Sequence, residues 1–261
     1  MTIVLIALAA YLTATVLLVM DLRRESRQGW TWLAVATLAV LLHAGAHVLA
    51  WRSIGGADMH FFAALSLVGL GMAALTTVFG ASGRMAALGV VAYPVAAAML
   101  AGYAGYGHHV AEPLDWRLQL HAWCALLAYA TLGIAALLAV MLWLQDRALR
   151  RHQFGRWRFA LPPLTELESL LFRTVTVGFA LLTATLLTGV LFVEDLLAQH
   201  LVHKTVLSVL SWLLFGGLLL GRWRFGWRGR IAVRWTLAAM LLLVLAFFGS
   251  KAVLELVLHR T

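Results

Sequence analysis

The first apolar run reads Ile3-Val-Leu-Ile-Ala-Leu-Ala-Ala-Tyr-Leu-Thr-Ala-Thr-Val-Leu-Leu-Val-Met20, and Asp21-Leu-Arg-Arg-Glu-Ser-Arg27 follows it directly. An unbroken apolar stretch of this length can cross a hydrocarbon core about 30 Å thick as an α-helix. No basic residue precedes the run and charges follow it, which is the reverse of a secretory signal peptide. We therefore predict a retained transmembrane helix.

The composition of the whole 261-residue chain agrees with a membrane protein. Hydrophobic residues make up 63% of the chain and charged residues 12%, whereas soluble domains average about 45 to 50% and about 25%. The formal charge of +9 is spread in short clusters between apolar runs, so it indicates topology rather than nucleic-acid binding. Cys124 is the one cysteine, which excludes an intrachain disulfide and a CxxC redox pair.

Further apolar runs repeat the pattern of the first. The runs lie at 3–20, 30–51, 61–80, 86–103, 118–144, 172–193, 205–221 and 234–254. Helices satisfy their own backbone hydrogen bonds in lipid, and the runs lack the alternation of strands. The sequence predicts an all-α, polytopic membrane helix bundle of about eight transmembrane helices, forming a single transmembrane domain over 1–261 without a separate soluble domain.

Orientation follows from the basic residues. Fifteen of the 20 Lys and Arg residues fall in one set of alternate loops and five fall on the other side. The positive-inside rule places the richer set in the cytoplasm, so both termini are predicted on the outer side. The longest cytoplasmic connection contains Pro162-Pro163-Leu-Thr-Glu-Leu-Glu168, which is typical of a helix start with Thr165 as its N-cap.

The predicted topology places the histidines unevenly on the two sides of the membrane. Only His152 is cytoplasmic, and the other nine map to outer loops or to the outer halves of spans. Imidazole is a common ligand of haem iron and of transition metals, and it is costly to bury in a bilayer without a partner. The outer side is therefore the candidate site.

His43 and His47 lie four residues apart on one face of the second predicted helix. They are candidate ligands for haem or for one small metal ion, and interhelical hydrogen bonding is the alternative. His121 and His203 occupy the outer entries of the fifth and seventh helices, at depths from which two imidazoles can face each other across a haem. The metal candidates are thus His43, His47, His121 and His203.

The remaining outer histidines are expected to be solvated or interfacial: His60, His108, His109, His200 and His259. No Walker loop, HExxH, GxSxG or paired intramembrane carboxylates occur in the sequence, which argues against nucleotide-dependent or hydrolytic catalysis. Lys251 and Glu255 are expected to form an ion pair near the end of the last helix.

The segment His121-Ala-Trp-Cys-Ala-Leu-Leu-Ala-Tyr-Ala-Thr-Leu132 resembles a helix of the cytochrome c assembly family, of the CcsA/CcmC type. The run from His203 through Trp212 to Gly226-Trp-Arg-Gly-Arg230 is similar to its later helices, and Pro162-Pro163 with the residues after it is similar to the YpjD-like branch. The resemblance implies haem b bound by His121 and His203, with His43 as an intramembrane ligand. In such a site the propionates would lie near the outer interface, where Arg117 and Lys204 are candidates to pair with them; solvation is the alternative for the loop arginine.

The resemblance has one clear departure. Better-known members hold haem for apocytochrome c in a tryptophan-rich WWD loop, whereas Phe192-Val-Glu-Asp-Leu-Leu-Ala-Gln-His-Leu-Val-His203 contains no tryptophan. The leading hypothesis is a haem-binding protein of the bacterial inner membrane, acting in haem handling, haem transfer or cytochrome c biogenesis rather than in turnover of a substrate. The alternatives are a b-type cytochrome linked to quinol, with quinone as a partner, and a non-catalytic accessory to an ion transporter.

Overall fold

The computed structural model describes residues 1–24, 30–81, 86–106, 115–151, 163–192 and 202–249. All regular structure in these ranges is helical. The helices are α1 (Thr2–Arg24), α2 (Trp30–Ile54), α3 (Phe61–Gly80), α4 (Gly89–Gly105), α5 (Trp116–Arg150), α6 (Leu164–Phe192), α7 (Val202–Phe225) and α8 (Arg230–Val244). A 3-10 turn at Ala86–Leu88 precedes α4, and a π-helical turn at Leu245–Gly249 follows α8.

The predicted all-α membrane fold is confirmed, because eight helices in the described part of the chain are long and apolar enough to cross a bilayer. Several helices are longer than their apolar runs, and α5 and α6 show this clearly. α5 continues past residue 144 to Arg150, and α6 begins at Leu164. Thr165 therefore lies inside the first turn of α6 and is not its N-cap. The last predicted run extends beyond the described residues, which end at 249.

The chain divides into two compact units, and the first contains α1 to α4. Within it, α1 packs against α2 and α4, while α3 packs against α4 and α2. The fully buried core residues include Ala7, Ala14, Ala36, Ala39, Ala73, Ala92 and Ala96. A Cβ at Gly69 would lie 2.8 Å from the Met99 Sδ atom. Small residues thus let these helices approach closely, as membrane bundles require.

The second unit contains α5 to α8. α5 and α6 share the most extensive helix contact, and a Cβ at Gly178 would lie 2.5 Å from the Leu132 Cδ2 atom. Hydrogen bonds also join the helices of this unit. The Tyr129 hydroxyl donates to the Leu243 carbonyl at 2.5 Å, the Ser211 hydroxyl to the Ala239 carbonyl at 2.8 Å, and the Trp212 indole to the Thr183 hydroxyl at 2.8 Å.

Ion pairs hold the end of the second unit that carries the α7–α8 turn. The Arg222 guanidinium donates to the Glu168 carboxylate at 2.8 Å, and the Arg228 guanidinium lies 3.7 Å from the same carboxylate. The Asp146 carboxylate pairs with Arg150 at 3.0 Å and with Arg230 at 3.2 Å. These pairs explain why α5 and α6 extend beyond their apolar runs, because charged side chains at each extension have partners.

Candidate functional site

The first unit contains a fully buried pair of histidines. His43 and His47 lie one turn apart on α2 and are 0% and 1% exposed. Their rings are stacked with centroids 5.5 Å apart. The sequence predicted that they share a face, and the structure brings them together in the core of this unit.

Both buried imidazoles are hydrogen-bonded to neighbouring helices. The Nε2 atoms of His43 and His47 lie 2.9 and 3.0 Å from the Ser66 hydroxyl on α3. The Nδ1 atom of His43 lies 3.1 Å from the Tyr11 hydroxyl on α1. The interhelical hydrogen bonds considered as the alternative to metal ligation are therefore present, and they involve both ring nitrogens of His43.

A second polar group continues from His47 toward the α2–α3 connection. The His47 ring stacks on Tyr103 of α4 with centroids 4.5 Å apart, and Tyr103 in turn stacks on His60 with centroids 5.8 Å apart. Asp58 accepts from the His60 backbone N–H at 3.2 Å and lies 2.5 Å from the His60 Nδ1 atom. The His60 side chain is only 7% exposed, so of the two expected positions, solvated or interfacial, the solvated one is wrong. Asp58 removes it from solvent by pairing with the ring.

Tyr11, Ser66, Tyr103 and Asp58 were not among the predicted site residues. Each is a polar side chain in a predicted span or connection, and hydropathy does not distinguish it from the other residues there. The sequence did contain an indication of the Asp58–His60 pair, because a carboxylate two residues before a histidine can accept hydrogen bonds from both the backbone N–H and the ring of that histidine. The partners of His43 could not be identified, because they lie 32 and 23 residues away in sequence.

In the second unit, His121 is less buried than His43 and His47 are in the first. His121 is half-buried on α5, and its Nδ1 atom lies 3.1 Å from the Thr188 hydroxyl on α6. A Cβ at Gly189 would lie 3.3 Å from the His121 Cε1 atom, so this glycine gives the ring its place against α6.

The Thr188 hydroxyl also contacts two backbone carbonyls of its own helix. It lies 2.8 Å from the Ala184 carbonyl and 3.0 Å from the Thr185 carbonyl, to either of which it can donate. A hydroxyl that donates to a carbonyl can still accept from the ring N–H of a histidine. This arrangement is compatible with a proton on His121 Nδ1.

His203 lies in the first turn of α7 and is exposed, while its neighbour Lys204 is half-buried. Arg117 in the first turn of α5 is also exposed, and its guanidinium lies 4.0 Å from Asp115 and 5.6 Å from the Trp116 ring centroid. No hydrogen bond or ring contact joins His121 to His203 within the described ranges. The prediction that they share a ligand stays a prediction.

Four histidines were also predicted as metal ligands. Across the described ranges, no group of three or more His, Cys, Asp or Glu residues is arranged to hold a metal ion. Metal binding by His43, His47, His121 and His203 thus stays a prediction. Several named residues lie outside the described ranges: His108, His109, His152, His200, Lys251, Glu255 and His259. So does most of the segment that replaces the tryptophan-rich loop, at 193–201.

Comparison with known proteins assigns the family. A family described as cytochrome C assembly protein matches residues 30–258. The inner membrane protein YpjD of Escherichia coli K12 is 30% identical over 259 residues, covering 97% of this chain and 98% of the relative. The cytochrome c biogenesis protein CcsA of Synechococcus strain CC9902 is 23% identical over 155 residues, covering 51% of each chain.

Protein HemX of Brevibacillus brevis is 25% identical over 134 residues, covering 51% of this chain and 49% of the relative. No solved structure matches the chain. The family match spans seven of the eight helices, from α2 onward, and it confirms the resemblance deduced from His121 and the later helices. This chain is a multi-pass inner membrane protein and belongs to the cytochrome c assembly protein family.

Proposed function

We propose that this protein binds haem b through His121 and His203 and serves haem handling or transfer in cytochrome c biogenesis. The family match and the biogenesis name of a relative support this function. In the proposed topology both termini are periplasmic, and the two histidines lie near the outer face. We do not propose turnover of a substrate.

The observation that carries the proposal is the contact between His121 and Thr188. A haem-ligating imidazole binds iron through one nitrogen, and its other nitrogen donates a hydrogen bond that fixes the ring. Nδ1 of His121 lies 3.1 Å from the Thr188 hydroxyl, and in the proposed site it donates to that hydroxyl. Nε2 is then the nitrogen with the lone pair that iron needs. The donor chemistry of His121 thus fits a haem ligand.

His203 completes the proposed ligand pair because it is exposed at the end of α7 that the predicted topology places outside. Arg117 and Lys204 adjoin the two histidine positions in sequence, and they would supply positive charge for the propionates. Haem held by two histidines provides a one-electron centre without an open coordination position. Haem storage, haem relay and electron transfer are compatible with that chemistry.

His43 and His47 are not part of this proposed ligand set. Both ring nitrogens of His43 already have hydrogen-bond partners, and the ring is 0% exposed. Binding iron there would break a buried hydrogen bond, which is costly in a bundle core. The quinol-linked alternative would require a quinone site, and no described contact favours one.

The test is a haemin titration of the purified, full-length protein, followed by absorption in the Soret region. We expect saturable binding by the wild type and strong loss of binding in His121→Ala and His203→Ala, because each removes an iron ligand. His152→Ala is the matched control, since the positive-inside rule predicts His152 on the cytoplasmic side. Wild-type binding in both ligand variants, in protein that is monodisperse in detergent, would contradict the proposal.

A further inference from the structure

The end of the second unit that carries the α7–α8 turn has more positive charge than its carboxylates can neutralise. Seven arginines lie in this turn or in the last turn and C-cap of α5: Arg147, Arg150, Arg151, Arg222, Arg224, Arg228 and Arg230. The described carboxylates at the same end are three: Asp146, Glu166 and Glu168. An excess of four positive charges therefore remains among the described residues there.

The ion pairs use only part of the arginines in the turn. The Arg222 guanidinium is half-buried and donates to the Glu168 carboxylate at 2.8 Å. The Arg228 side chain is 71% exposed, and its Nε atom lies 3.7 Å from the same carboxylate. Arg224 is exposed and has no ion pair within the described ranges. Arg224 and Arg228 thus present guanidinium donors to the surroundings, and these planar groups bind phosphate well.

Packing holds the backbone of the turn in place. Gly226 and Gly229 have φ angles of +67° and +54°, which glycine adopts most readily. The Trp227 ring packs onto Gly221, where a Cβ would clash with it, and the ring centroid lies 4.9 Å from that of Trp235. The arginines of the turn are therefore carried by a packed backbone.

Two aromatic side chains of the same segment are directed away from the protein. Trp223 is 84% exposed and Phe225 is 72% exposed. The helices on both sides of the turn, α7 and α8, have the length and hydropathy of membrane spans, so the turn lies at the membrane surface. Aromatic rings at this depth contact the boundary between headgroups and acyl chains. The exposed arginines are therefore next to lipid headgroups.

We propose that the α7–α8 turn binds an anionic phospholipid, whose phosphate contacts Arg224 and Arg228 and whose glycerol and upper acyl chains contact Trp223 and Phe225. A soluble phosphate compound would leave the two aromatic rings uncovered, whereas a phospholipid supplies both phosphate and apolar groups. A zwitterionic lipid carries an amine that offsets its phosphate, so the excess of arginines favours a lipid with net negative charge. This proposal does not depend on haem binding.

The test is native mass spectrometry of the full-length protein in detergent, titrated with phosphatidylglycerol or with phosphatidylcholine of the same acyl chains. We expect the wild type to bind phosphatidylglycerol about tenfold more tightly. Arg224→Gln/Arg228→Gln should weaken phosphatidylglycerol binding by about tenfold or more, because it removes both phosphate contacts. Equal wild-type affinity for the two lipids would overturn the proposal, as would wild-type affinity for phosphatidylglycerol in the double variant.

Arg147→Gln/Arg151→Gln is the matched control, because it removes the same charge from the same end of the second unit and leaves the turn intact. It should weaken phosphatidylglycerol binding by less than about threefold, since exposed charges outside the site are screened by salt. An equal loss in the two double variants would show that diffuse charge attracts the lipid, and it would overturn the proposal.

Trp223→Ala tests the same site without a change of charge, at a position too exposed to affect packing. It should weaken phosphatidylglycerol binding by about threefold or more, because the ring no longer covers the lipid. Wild-type affinity in this variant would overturn the proposal. A large excess of inorganic phosphate should not displace the lipid from the wild type. Displacement would show a site for soluble phosphate, which would also overturn it.

Discussion

The histidines of the two units lie in opposite environments. His43 and His47 in the first unit are fully buried and hydrogen-bonded across helices. His121 in the second unit is half-buried and oriented by Thr188, and His203 is exposed. Imidazoles of the first kind join helices of the bundle by hydrogen bonds, and those of the second kind are accessible to an added group. The burial and the hydrogen-bond partners of each histidine ring therefore indicate its role better than the number of histidines predicted on the outer side.

Loss of the shared Ser66 hydroxyl should have the largest effect on stability. Ser66→Ala leaves two buried imidazoles without their common partner, so we expect it to lower the free energy of unfolding by about 1 to 3 kcal/mol. SDS titration of the protein in mixed micelles measures this change. Ser53→Ala should be close to wild type, and equal stabilities of the two variants would show that the first unit does not depend on its buried hydrogen bonds.

Loss of the Thr188 hydroxyl in the second unit should lower haem affinity more than it lowers stability. Thr188→Val removes the acceptor for His121 Nδ1, and loss of such a partner weakens ligand binding by about tenfold or more. Haemin titration measures this loss. Thr176→Val is the control on the same helix, since the Thr176 hydroxyl donates only to the Phe172 carbonyl among described groups. Unchanged affinity in Thr188→Val would mean that His121 is not held through α6.

A smaller effect is expected where the second unit does contain a buried hydrogen bond. Tyr129→Phe removes the donor to the Leu243 carbonyl between α5 and α8. Interhelical hydrogen bonds in membrane proteins average about 0.6 kcal/mol, so we expect a loss of about that size in SDS unfolding. Tyr106→Phe, at an exposed position, should have no effect. A loss larger than that of Ser66→Ala would reverse the comparison between the units.

The smallest effect should come from the ion pairs at the end of the second unit. Arg230→Gln removes one exposed partner of Asp146, while Arg150 remains. We expect a loss of less than about 0.5 kcal/mol that disappears at high salt. Unfolding at two salt concentrations measures it. Arg234, which has no ion pair within the described ranges, supplies the control Arg234→Gln. A loss that persists in high salt would contradict the surface character of the pair.

The fold could be predicted from the sequence because each transmembrane helix satisfies its own backbone, so apolar runs define spans without knowledge of their neighbours. The ends of α5 and α6 were missed for a related reason. Hydropathy detects only the part of a helix inside lipid, and α5 continues to Arg150 where Asp146 and Arg150 pair on its surface.

The side-chain partners could not be predicted in the same way. The shared face of His43 and His47 follows from their spacing, but Ser66 is one of several small polar residues in apolar runs. Thr188 lies 67 residues from His121, and only the packing of α5 on α6 selects it. His60 was expected to be solvated or interfacial, because the sequence does not show that Asp58 pairs with its ring in the connection between α2 and α3.

The most direct test of the central claim is the Soret absorption of His121→Ala and His43→Gln, each purified in full length and saturated with haemin. We expect His121→Ala to lose the band, because it lacks an iron ligand in the second unit. His43→Gln should keep the wild-type band, because both ring nitrogens of His43 already have hydrogen-bond partners. Loss of the band in His43→Gln and its retention in His121→Ala would contradict the account.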